Sequence, residues 1–320
     1  MSMAASRPRV IVDCDPGHDD VFAIATAAMF CDVVAITAVA GNSPLHNTER
    51  NARIARDLMG LTHVPVHSGA DQPLAGPTSA TAIEAHGRTG LDGPPPREPE
   101  YALDGTDAVS FIVEQTRSEE GIWLVALGPL TNIALALQAD PTLRHRISGL
   151  SFMGGSTTHG NITTAGEFNT YFDPEAAAAV LDAGVPLVRM FGLNLTHQVK
   201  AGTQMIDALI MADTERSEFC AELLRFSQQF NANIYGLCAD ERGLAEVPMH
   251  DPCAVLGVAR PDLFEFVPYH VVVETVGTHT RGQTLIDQRP WNRRHGGNVQ
   301  VAVTAIDPTE ILTLIQRAAT

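Results

Sequence analysis

Short apolar strands alternate with helical segments along the first 190 residues of this chain. A β-branched run over Arg9–Cys14 is followed by apolar residues at helical spacing over His18–Phe30. The same order continues with strands at Val33–Val39, Ile122–Leu127, Gly149–Met153 and Pro186–Met190 and helices at Thr48–Met59, Leu130–Gln138 and Pro174–Asp182. Because such alternation builds βαβ units, we predict an open α/β fold with a mostly parallel central sheet and helices on both faces. Ligands of such sheets bind beyond the carboxyl ends of the strands.

The rest of the chain shows a less regular pattern. We predict a long helical stretch from Gly202 to about Tyr235, strands at Tyr269–Glu274 and Val299–Val303, and a closing helix at Pro308–Ala318. With 320 residues, 45% of them hydrophobic, the chain can bury one large core. We therefore expect a single domain over residues 9–320, preceded by a disordered tail over residues 1–8.

Residues 68–104 are rich in glycine and proline and are too many for a passive connection in a compact domain. Loops of this length are usually either functional or disordered. Two interpretations are therefore open, a mobile flap beside a functional site and a disordered surface insertion. His86 lies within the segment and favours the flap.

The acidic balance of the chain argues against nucleic acid as a partner. Asp and Glu number 37 against 21 Lys and Arg, a formal charge of −16, whereas phosphate contacts need clustered basic residues. The five cysteines form no CxxC pair, so we predict free thiols in a reducing compartment. The start of the chain lacks a long apolar run, and Asp32 interrupts the apolar stretch from Val21 to Ala40. We therefore expect no signal peptide, no membrane span and a cytoplasmic location.

Four carboxylates crowd the point where the first strand ends and the first helix begins: Asp13, Asp15, Asp19 and Asp20. Like charges this close raise one another's pKa unless a cation or hydrogen bonds compensate them. Hard divalent cations take oxygen ligands, and Ca²⁺ accepts several carboxylates and carbonyls in flexible geometry. Helix capping would account for Asp19 and Asp20, but not for the two that precede the Pro16-Gly17 turn. The cluster therefore predicts a metal site at this strand end.

The segment VDCDPGHDD, residues 12–20, resembles the amino-terminal motif of the inosine-uridine nucleoside hydrolase family, whose usual form is DCDPGxDD. Further segments match that family in the same order: Ala40-Gly41-Asn42, Gly128-Pro129-Leu130-Thr131-Asn132, Met153-Gly154-Gly155, Glu167-Phe168-Asn169, Asp173-Pro174-Glu175-Ala176 and Met249-His250-Asp251-Pro252. Together they extend over about residues 9–305. The resemblance implies a nucleoside hydrolase fold and hydrolysis of a ribonucleoside to ribose and a free nucleobase.

The resemblance also implies a Ca²⁺ held by Asp15, Asp20, Asp251 and the backbone carbonyl of Leu127. Family members often have threonine at position 127, but a main-chain ligand tolerates leucine there. Asp15 would in addition act as the general base, since a metal lowers the pKa of its water and a ligating carboxylate can take the proton. Without the other matches, Asp251 would be interpreted as a helix cap before Pro252.

Contacts to the ribose and to the base follow from the same resemblance. Ribose hydroxyls require amide and carboxylate partners in a dry pocket. The implied substrate-binding residues on the ribose side are Asp19, Asn42, Met153, Asn161, Glu167 and Asn169. Phe168 and Tyr235 would pack around the nucleobase. His250 is the first candidate to protonate or hydrogen-bond the leaving base, and His86 is the second.

The preferred nucleoside stays open between a broad inosine and uridine range and a pyrimidine preference. Both kinds of family member resemble this chain in His250-Asp251 and in the intact Asp15-Pro16-Gly17 turn. Trp123 lies on a predicted strand, where it cannot stack a purine, and Trp291 in the loop 288–294 is a weak exception. Because family members are commonly dimers or tetramers, we expect a homodimer or homotetramer.

Two other functions compete with this one. A Mg²⁺-dependent phosphohydrolase could use Asp13-Cys14-Asp15 at a strand end, but it needs a lysine and Ser/Thr phosphate partners that cannot be placed. A non-catalytic nucleoside-binding protein would not need Asp15, Asp20 and Asp251 intact. Both hypotheses fit the chain less well than hydrolysis of a nucleoside.

Overall fold

A computed structural model describes residues 7–235, 245–290 and 297–320. The strands are β1 Arg9–Cys14, β2 Asp32–Ala38, β3 Val66–Ser68, β4 Ile122–Ala126, β5 Gly149–Met153, β6 Val188–Phe191, β7 Lys200–Ala201, β8 Val247–Pro248, β9 Phe264–Tyr269, β10 Val271–Val273, β11 Thr284–Ile286 and β12 Val299–Ala305. The α-helices are α1 His18–Phe30, α2 Leu45–Leu58, α3 Ile83–His86, α4 Ala108–Ser118, α5 Thr131–Ala139, α6 Phe168–Phe172, α7 Pro174–Asp182, α8 Leu193–Thr196, α9 Thr203–Ala212, α10 Glu215–Tyr235, α11 His250–Ala259 and α12 Pro308–Ala319.

Eight of the strands form one sheet, in the order β3-β2-β1-β4-β5-β6-β12-β9. Neighbours from β3 to β12 run parallel, and β9 lies antiparallel against β12 at the edge. From β1 the chain builds outward through β2 to β3, then returns to add β4 on the other side of β1. Ligands of α/β sheets bind at such a switch point, outside the carboxyl ends of the strands.

Helices cover both faces of the sheet. Successive side chains of a strand point to opposite faces, so Val10 and Val12 of β1 enter one apolar core while Ile11 enters the other. The first core contains residues of α1, α11 and α12, and the second contains residues of α4, α5 and α7. The predicted α/β fold with a mostly parallel sheet and helices on both faces is therefore confirmed.

Predicted and observed elements agree best in the first 190 residues, where β1, β5, α1 and α7 match at both ends. Two predictions beyond residue 200 were wrong. The helical stretch from Gly202 to Tyr235 is two helices, because Asp213 after α9 takes a left-handed conformation with a φ of 50°. The strand predicted at Tyr269–Glu274 is the shorter β10, Val271–Val273, because Tyr269 belongs to the separate strand β9 that precedes it.

The segment 68–104 leaves and re-enters the fold at one place beside β3. Ser68 N donates to Gly105 O, and Asp104 N donates to Val66 O, each at 2.9 Å. Between these ends the segment includes α3 and forms hydrogen bonds with α1, α2 and α10. It therefore contacts the fold at several points, and its mobility stays a prediction.

The predicted free thiols are confirmed for Cys14, Cys31, Cys220 and Cys253, whereas Cys238 lies outside the described residues. Residues 1–6 of the predicted tail also lie outside them. Within the part of the chain that the structure describes, no helix has both the length and the apolar character needed to cross a bilayer.

Candidate active site

The carboxylates singled out in the sequence meet at the carboxyl end of β1, at the switch point of the sheet. The turn Asp15-Pro16-Gly17 links β1 to α1, and Asp20 accepts a hydrogen bond from Gly17 N at 2.9 Å, which closes the first turn of α1. Asp251 arrives as the second residue of α11, which packs along α1. Both carboxylates therefore lie at helix N-termini, whose partial positive charge favours anions.

Three of the carboxylates are close enough to share one cation. One oxygen from each of Asp19, Asp20 and Asp251 lies within 4.8 Å of the other two. The trio contains Asp20 and Asp251, which the sequence assigned to the metal, and Asp19, which it assigned to the ribose. Asp15 borders the trio, and the charge of Asp20 raises the pKa of Asp15.

Asp15 is held by the loop that follows β2. Its Oδ2 accepts from Asn42 N at 2.7 Å, and Asn42 Nδ2 donates to Asp15 O at 3.2 Å and to Asp20 Oδ2 at 3.4 Å. A Cβ atom added at Gly41 would lie 2.0 Å from Asp15 Oδ2, and one at Gly128 would lie 2.4 Å from Asp15 Oδ1. Glycine is therefore required at both positions, and the ends of β1, β2 and β4 together place this carboxylate.

Burial makes the charged form of the cluster costly. Desolvation raises the pKa of Asp15, Asp19, Asp20 and Asp251, and neighbouring carboxylates raise the pKa of Asp15, Asp20 and Asp251 further. Asp15 Oδ1 and Asp20 Oδ1 are buried and have no hydrogen-bond partner within the described ranges. Buried carboxylate oxygens without partners are the environment that a bound cation compensates. Because all the donors are oxygens, the set fits a hard divalent ion.

Asp13 has a different environment from the other carboxylates. Its Oδ1 accepts from Thr37 Oγ1 at 2.6 Å and from Asn132 Nδ2 at 2.7 Å. Burial raises the pKa of Asp13 to about 6, although these two hydrogen bonds lower it. Asn132 Nδ2 also donates to Ala38 O at 3.1 Å. Asp13 therefore joins β1 to β2 and to the start of α5, a supporting role that the sequence left unspecified.

Asn169 joins the ends of β4 and β5. Its Nδ2 donates to Leu127 O at 2.7 Å and to Met153 O at 3.2 Å. Glu167 is buried and accepts from Gly155 N at 2.8 Å and from Asn169 N at 3.0 Å. Glu167 thus caps α6 and closes the loop that follows β5. The structure brings these predicted residues together at the same sheet edge as the carboxylates.

Phe168 and Asn161 lie beside this edge. Phe168 packs with Ala40 and Phe172 in a small apolar cluster that also contacts the segment 68–104. Asn161 is exposed, and its Oδ1 accepts from Phe168 N at 2.8 Å, so the structure uses it to hold the start of α6. The side chains of Tyr235, at the end of α10, and of Trp291 lie outside the described residues.

Two histidines approach the cluster from outside the sheet. His250 begins α11, and its Nδ1 is hydrogen-bonded to Thr196 Oγ1 at 2.7 Å. His86, from the segment 68–104, accepts at Nδ1 from His18 N at 3.1 Å, so the neutral ring carries its proton on Nε2. The charges of Asp19 and of His250 both shift the pKa of His86, so the three groups lie near one another. Burial lowers the pKa of His250 to about 4 and of His86 to about 3, so both rings are neutral near pH 7.

Several supporting residues gave no signal in the sequence. His18 is buried, its Nδ1 is hydrogen-bonded to Ser227 Oγ at 2.7 Å, and its ring meets Phe226 edge-on at 5.1 Å. Thr196 supports His250 in the same way. Spacing could not reveal these contacts, because the hydrogen-bonded partners are 209 and 54 residues apart in the chain.

The chain is similar to known nucleoside hydrolases over nearly its whole length. The family model described as inosine-uridine preferring nucleoside hydrolase matches residues 10–313. A pyrimidine-specific ribonucleoside hydrolase, RihA, from Escherichia coli O1:K1 is 39% identical over 281 residues, which cover 87% of this chain and 88% of that protein.

Solved structures are similar to the same extent. A plant nucleoside hydrolase, PpNRh1, has a TM-score of 0.88 at 27% identity and covers 98% of this chain and 99% of its own. A purine-preferring ribonucleoside hydrolase from Gardnerella vaginalis has a TM-score of 0.87 at 28% identity, covering 97% of this chain and 99% of its own.

Proposed function

Because this chain belongs to the inosine-uridine preferring nucleoside hydrolase family, we propose that it hydrolyses pyrimidine ribonucleosides with the help of a bound Ca²⁺. Its relatives are ribonucleoside hydrolases, which cleave the N-glycosidic bond with water, and the chain is an enzyme of this kind. The observation that carries the finer proposal is a group of buried carboxylates, two of them with unpartnered oxygens, at the switch point of the sheet.

The cation is assigned to Asp15, Asp20, Asp251 and the carbonyl of Leu127. Asp20 and Asp251 belong to the close trio, Asp15 has a free Oδ1, and the Leu127 carbonyl keeps a second lone pair beside its bond from Asn169. These four oxygens would hold the ion, and Ca²⁺ commonly takes about six to eight oxygen ligands. When bound, the ion supplies positive charge that lowers the pKa of a water molecule.

Asp15 takes the proton of the attacking water. Its Oδ2 accepts from Asn42 N, while Oδ1 has two lone pairs, one for the ion and one for the proton. Without an ion, burial and the nearby charge of Asp20 raise the pKa of Asp15, and a bound cation would lower it again. Gly128 keeps the space in front of Oδ1 free of a side chain.

Acidic and amide side chains surround the proposed ribose position. Cleavage passes through an oxocarbenium-like transition state, in which positive charge develops on the sugar. Negative charge placed there stabilises the transition state more than the ground state. Asp19 and Glu167 supply the charge, and the hydroxyls are assigned to Asn42, Asn161 and Asn169, with Met153 beside them.

His250 and His86 are assigned to the leaving base. As the C–N bond breaks, its electron pair stays on the base, where a donated proton or hydrogen bond neutralises it. His86 carries a proton on Nε2, and His250, with Nδ1 engaged by Thr196, presents its own Nε2. The base itself would pack against Phe168 and Tyr235.

The preference for pyrimidines rests on similarity and on the tryptophans. The relative named as pyrimidine-specific is 39% identical to this chain, whereas the purine-preferring structure is 28% identical. Trp123 lies on β4, and the central carbon of the Arg189 guanidinium lies 4.9 Å from the centre of its ring. The ring of Trp123 is therefore not free to stack a base. Uridine and cytidine are therefore ranked above inosine and adenosine.

Steady-state release of ribose from these four nucleosides tests the proposal. With Ca²⁺ present, kcat/KM for uridine should exceed that for inosine by about tenfold or more. Chelation with EGTA should abolish turnover, and Ca²⁺ should restore it, while the Asp15→Asn variant stays inactive in both conditions.

Each part of the proposal can fail separately. Equal turnover of inosine and uridine would replace the pyrimidine preference with a broad one. Full activity in EGTA would contradict the metal assignment. A phosphate ester turned over in place of every nucleoside would contradict nucleoside hydrolysis itself.

A further inference from the structure

We infer that Thr196 is a positioning residue that sets the orientation and the tautomer of His250 for donation to the leaving base. The inference rests on the proposed function and adds a residue with no assigned part in it. Thr196 is 0% exposed, and its Oγ1 lies 2.7 Å from His250 Nδ1. With Nδ1 occupied in this way, Nε2 is the ring nitrogen that faces the pocket.

The direction of this hydrogen bond decides where the imidazole proton resides. A threonine hydroxyl can donate or accept, but it carries only one proton to donate. Within the described residues, the Thr196 hydroxyl is hydrogen-bonded only to His250 Nδ1, so accepting from that nitrogen would leave the buried hydroxyl proton without an acceptor. The hydroxyl therefore donates to Nδ1, and the neutral ring of His250 keeps its proton on Nε2. That tautomer can donate to a departing base, whereas the other one cannot.

A two-stranded ribbon keeps Thr196 and His250 in register. Thr196 ends α8 just before β7, and His250 begins α11 just after β8. Lys200 of β7 pairs with Pro248 of β8, and Met249 N donates to Val199 O at 2.9 Å. Because the two residues flank the same ribbon, the pairing of β7 with β8 fixes the position of Thr196 relative to His250.

The short helix α8 is anchored on its other side as well. Asn194 Nδ2 donates to Ala302 O of β12 at 3.1 Å, and Asn194 Oδ1 accepts from Thr157 N at 3.2 Å. Gln198 Nε2 adds hydrogen bonds to Asn194 O at 2.9 Å and to Val303 O at 3.0 Å. The hydroxyl is thus presented from a rigid support, as precise positioning requires.

Kinetics with two kinds of leaving group test the inference. Thr196→Val removes the hydroxyl at nearly constant volume, so kcat for uridine should fall about tenfold, since one hydrogen bond is lost. Turnover of p-nitrophenyl riboside should change by about twofold or less, because that leaving group needs no proton. Thr196→Ser, which restores the hydroxyl, should recover most of the uridine activity.

A double-mutant cycle shows whether Thr196 acts through His250. In a His250→Ala background, Thr196→Val should cause no further loss on uridine, because the group that it positions is absent. Nitrogen-15 spectra of histidine-labelled protein should show the proton of His250 on Nε2 in the wild type and a mixture of tautomers in Thr196→Val.

Thr116→Val is the matched control. Thr116 is also 0% exposed and donates to a backbone carbonyl, Ile112 O, at 2.8 Å within α4. This variant should show how far the removal of any buried threonine hydroxyl lowers stability and turnover, with equal effects on both substrates. If Thr196→Val does not fold, Thr196→Ala takes its place, and thermal unfolding of each variant separates lost structure from lost chemistry.

Four results would overturn the inference: equal losses on both substrates, no rescue by serine, an undiminished effect in the His250→Ala background, or a proton on Nδ1 in the wild type. None of these touches the proposed function, provided that the wild type releases ribose from uridine. A wild type inactive on every nucleoside would instead overturn that function.

Discussion

The carboxylate half and the nucleobase half of the candidate active site are built in different ways. Main-chain groups hold the carboxylates: Asn42 N binds Asp15, and Gly17 N binds Asp20. In the nucleobase half, His86 comes from the segment 68–104 and is bound by His18 N, and His250 is bound by the hydroxyl of Thr196. The sheet therefore determines the position of the bond-breaking groups, while the groups assigned to the base can change without altering it.

The two halves also differ in their electrostatics. Burial and mutual repulsion raise the pKa values of the carboxylates, so that half is complete only with a counter-ion. Burial lowers the pKa values of His86 and His250, so that half is neutral without any ion. Substitutions in the two halves should therefore have different consequences for activity, stability and metal dependence.

Asp15→Asn should cause the largest loss of activity. The amide can still accept from Asn42 N, but it cannot take a proton, so kcat for uridine should fall by about 10³-fold or more. Because the buried charge of Asp15 is costly without an ion, the melting temperature in EGTA should equal or exceed that of the wild type. Kinetics and thermal unfolding check the two outcomes, and activity within about tenfold of wild type would remove Asp15 from the role of base.

His250→Ala should cause the next largest loss, about 10²-fold on uridine. The reason is the missing donor to the base, so turnover of p-nitrophenyl riboside should be nearly retained and Ca²⁺ binding should be little changed. The comparison of the two substrates at saturating Ca²⁺ is the measurement. A loss that is equal on both substrates and accompanied by weaker Ca²⁺ binding would mean that the two halves are not separable.

Gly128→Ala should have a smaller effect and act through the carboxylate half. The added Cβ would lie 2.4 Å from Asp15 Oδ1 and must displace it, so we expect about a tenfold loss of kcat and weaker Ca²⁺ binding on titration. Gly202→Ala is the control, because a Cβ there has open space around it. Equal behaviour of the two variants would show that the close contact with Asp15 does not matter.

Asp13→Asn should affect activity least, by no more than about fivefold, since the amide oxygen keeps its bonds from Thr37 and Asn132. Its effect should lie in stability. The pKa of Asp13 rises from an ordinary 3.8 to about 6 on folding, so the folded wild type binds the proton more tightly and loses stability as pH increases across that range. The variant should therefore gain more in melting temperature, relative to wild type, at pH 7 than at pH 4. A gain that does not depend on pH would contradict this assignment.

The carboxylate half could be predicted from the sequence better than the nucleobase half. The alternation of strands and helices indicated the parallel sheet, and the position of Asp15 and Asp20 across a strand-to-helix turn indicated their convergence, because both signals are local. The resemblance to a family then supplied Asp251, which periodicity alone would have left as a helix cap. By contrast, β9 was missed because Glu265 and Pro268 interrupt the apolar run of Phe264–Tyr269.

The contacts of the nucleobase half could not be predicted in this way. His18 with Ser227 and Thr196 with His250 are brought together by the packing of helices and by the β7–β8 ribbon, which no spacing in the sequence records. Asp13 is an intermediate case. Its partner Thr37 lies opposite it on β2, a pairing that depends on strand register and could be inferred only once the two strands were aligned.

The closed base of the segment 68–104 has a consequence for how such an enzyme can diversify. Since Ser68 N is bonded to Gly105 O, the chain departs and returns through adjacent points. Insertions or deletions between those points lengthen or shorten the segment without shifting the strands on either side. The entropic cost of closing such a loop grows only slowly with its length. Changes in substrate preference can thus accumulate in one stretch of sequence while the hydrolytic machinery is inherited intact.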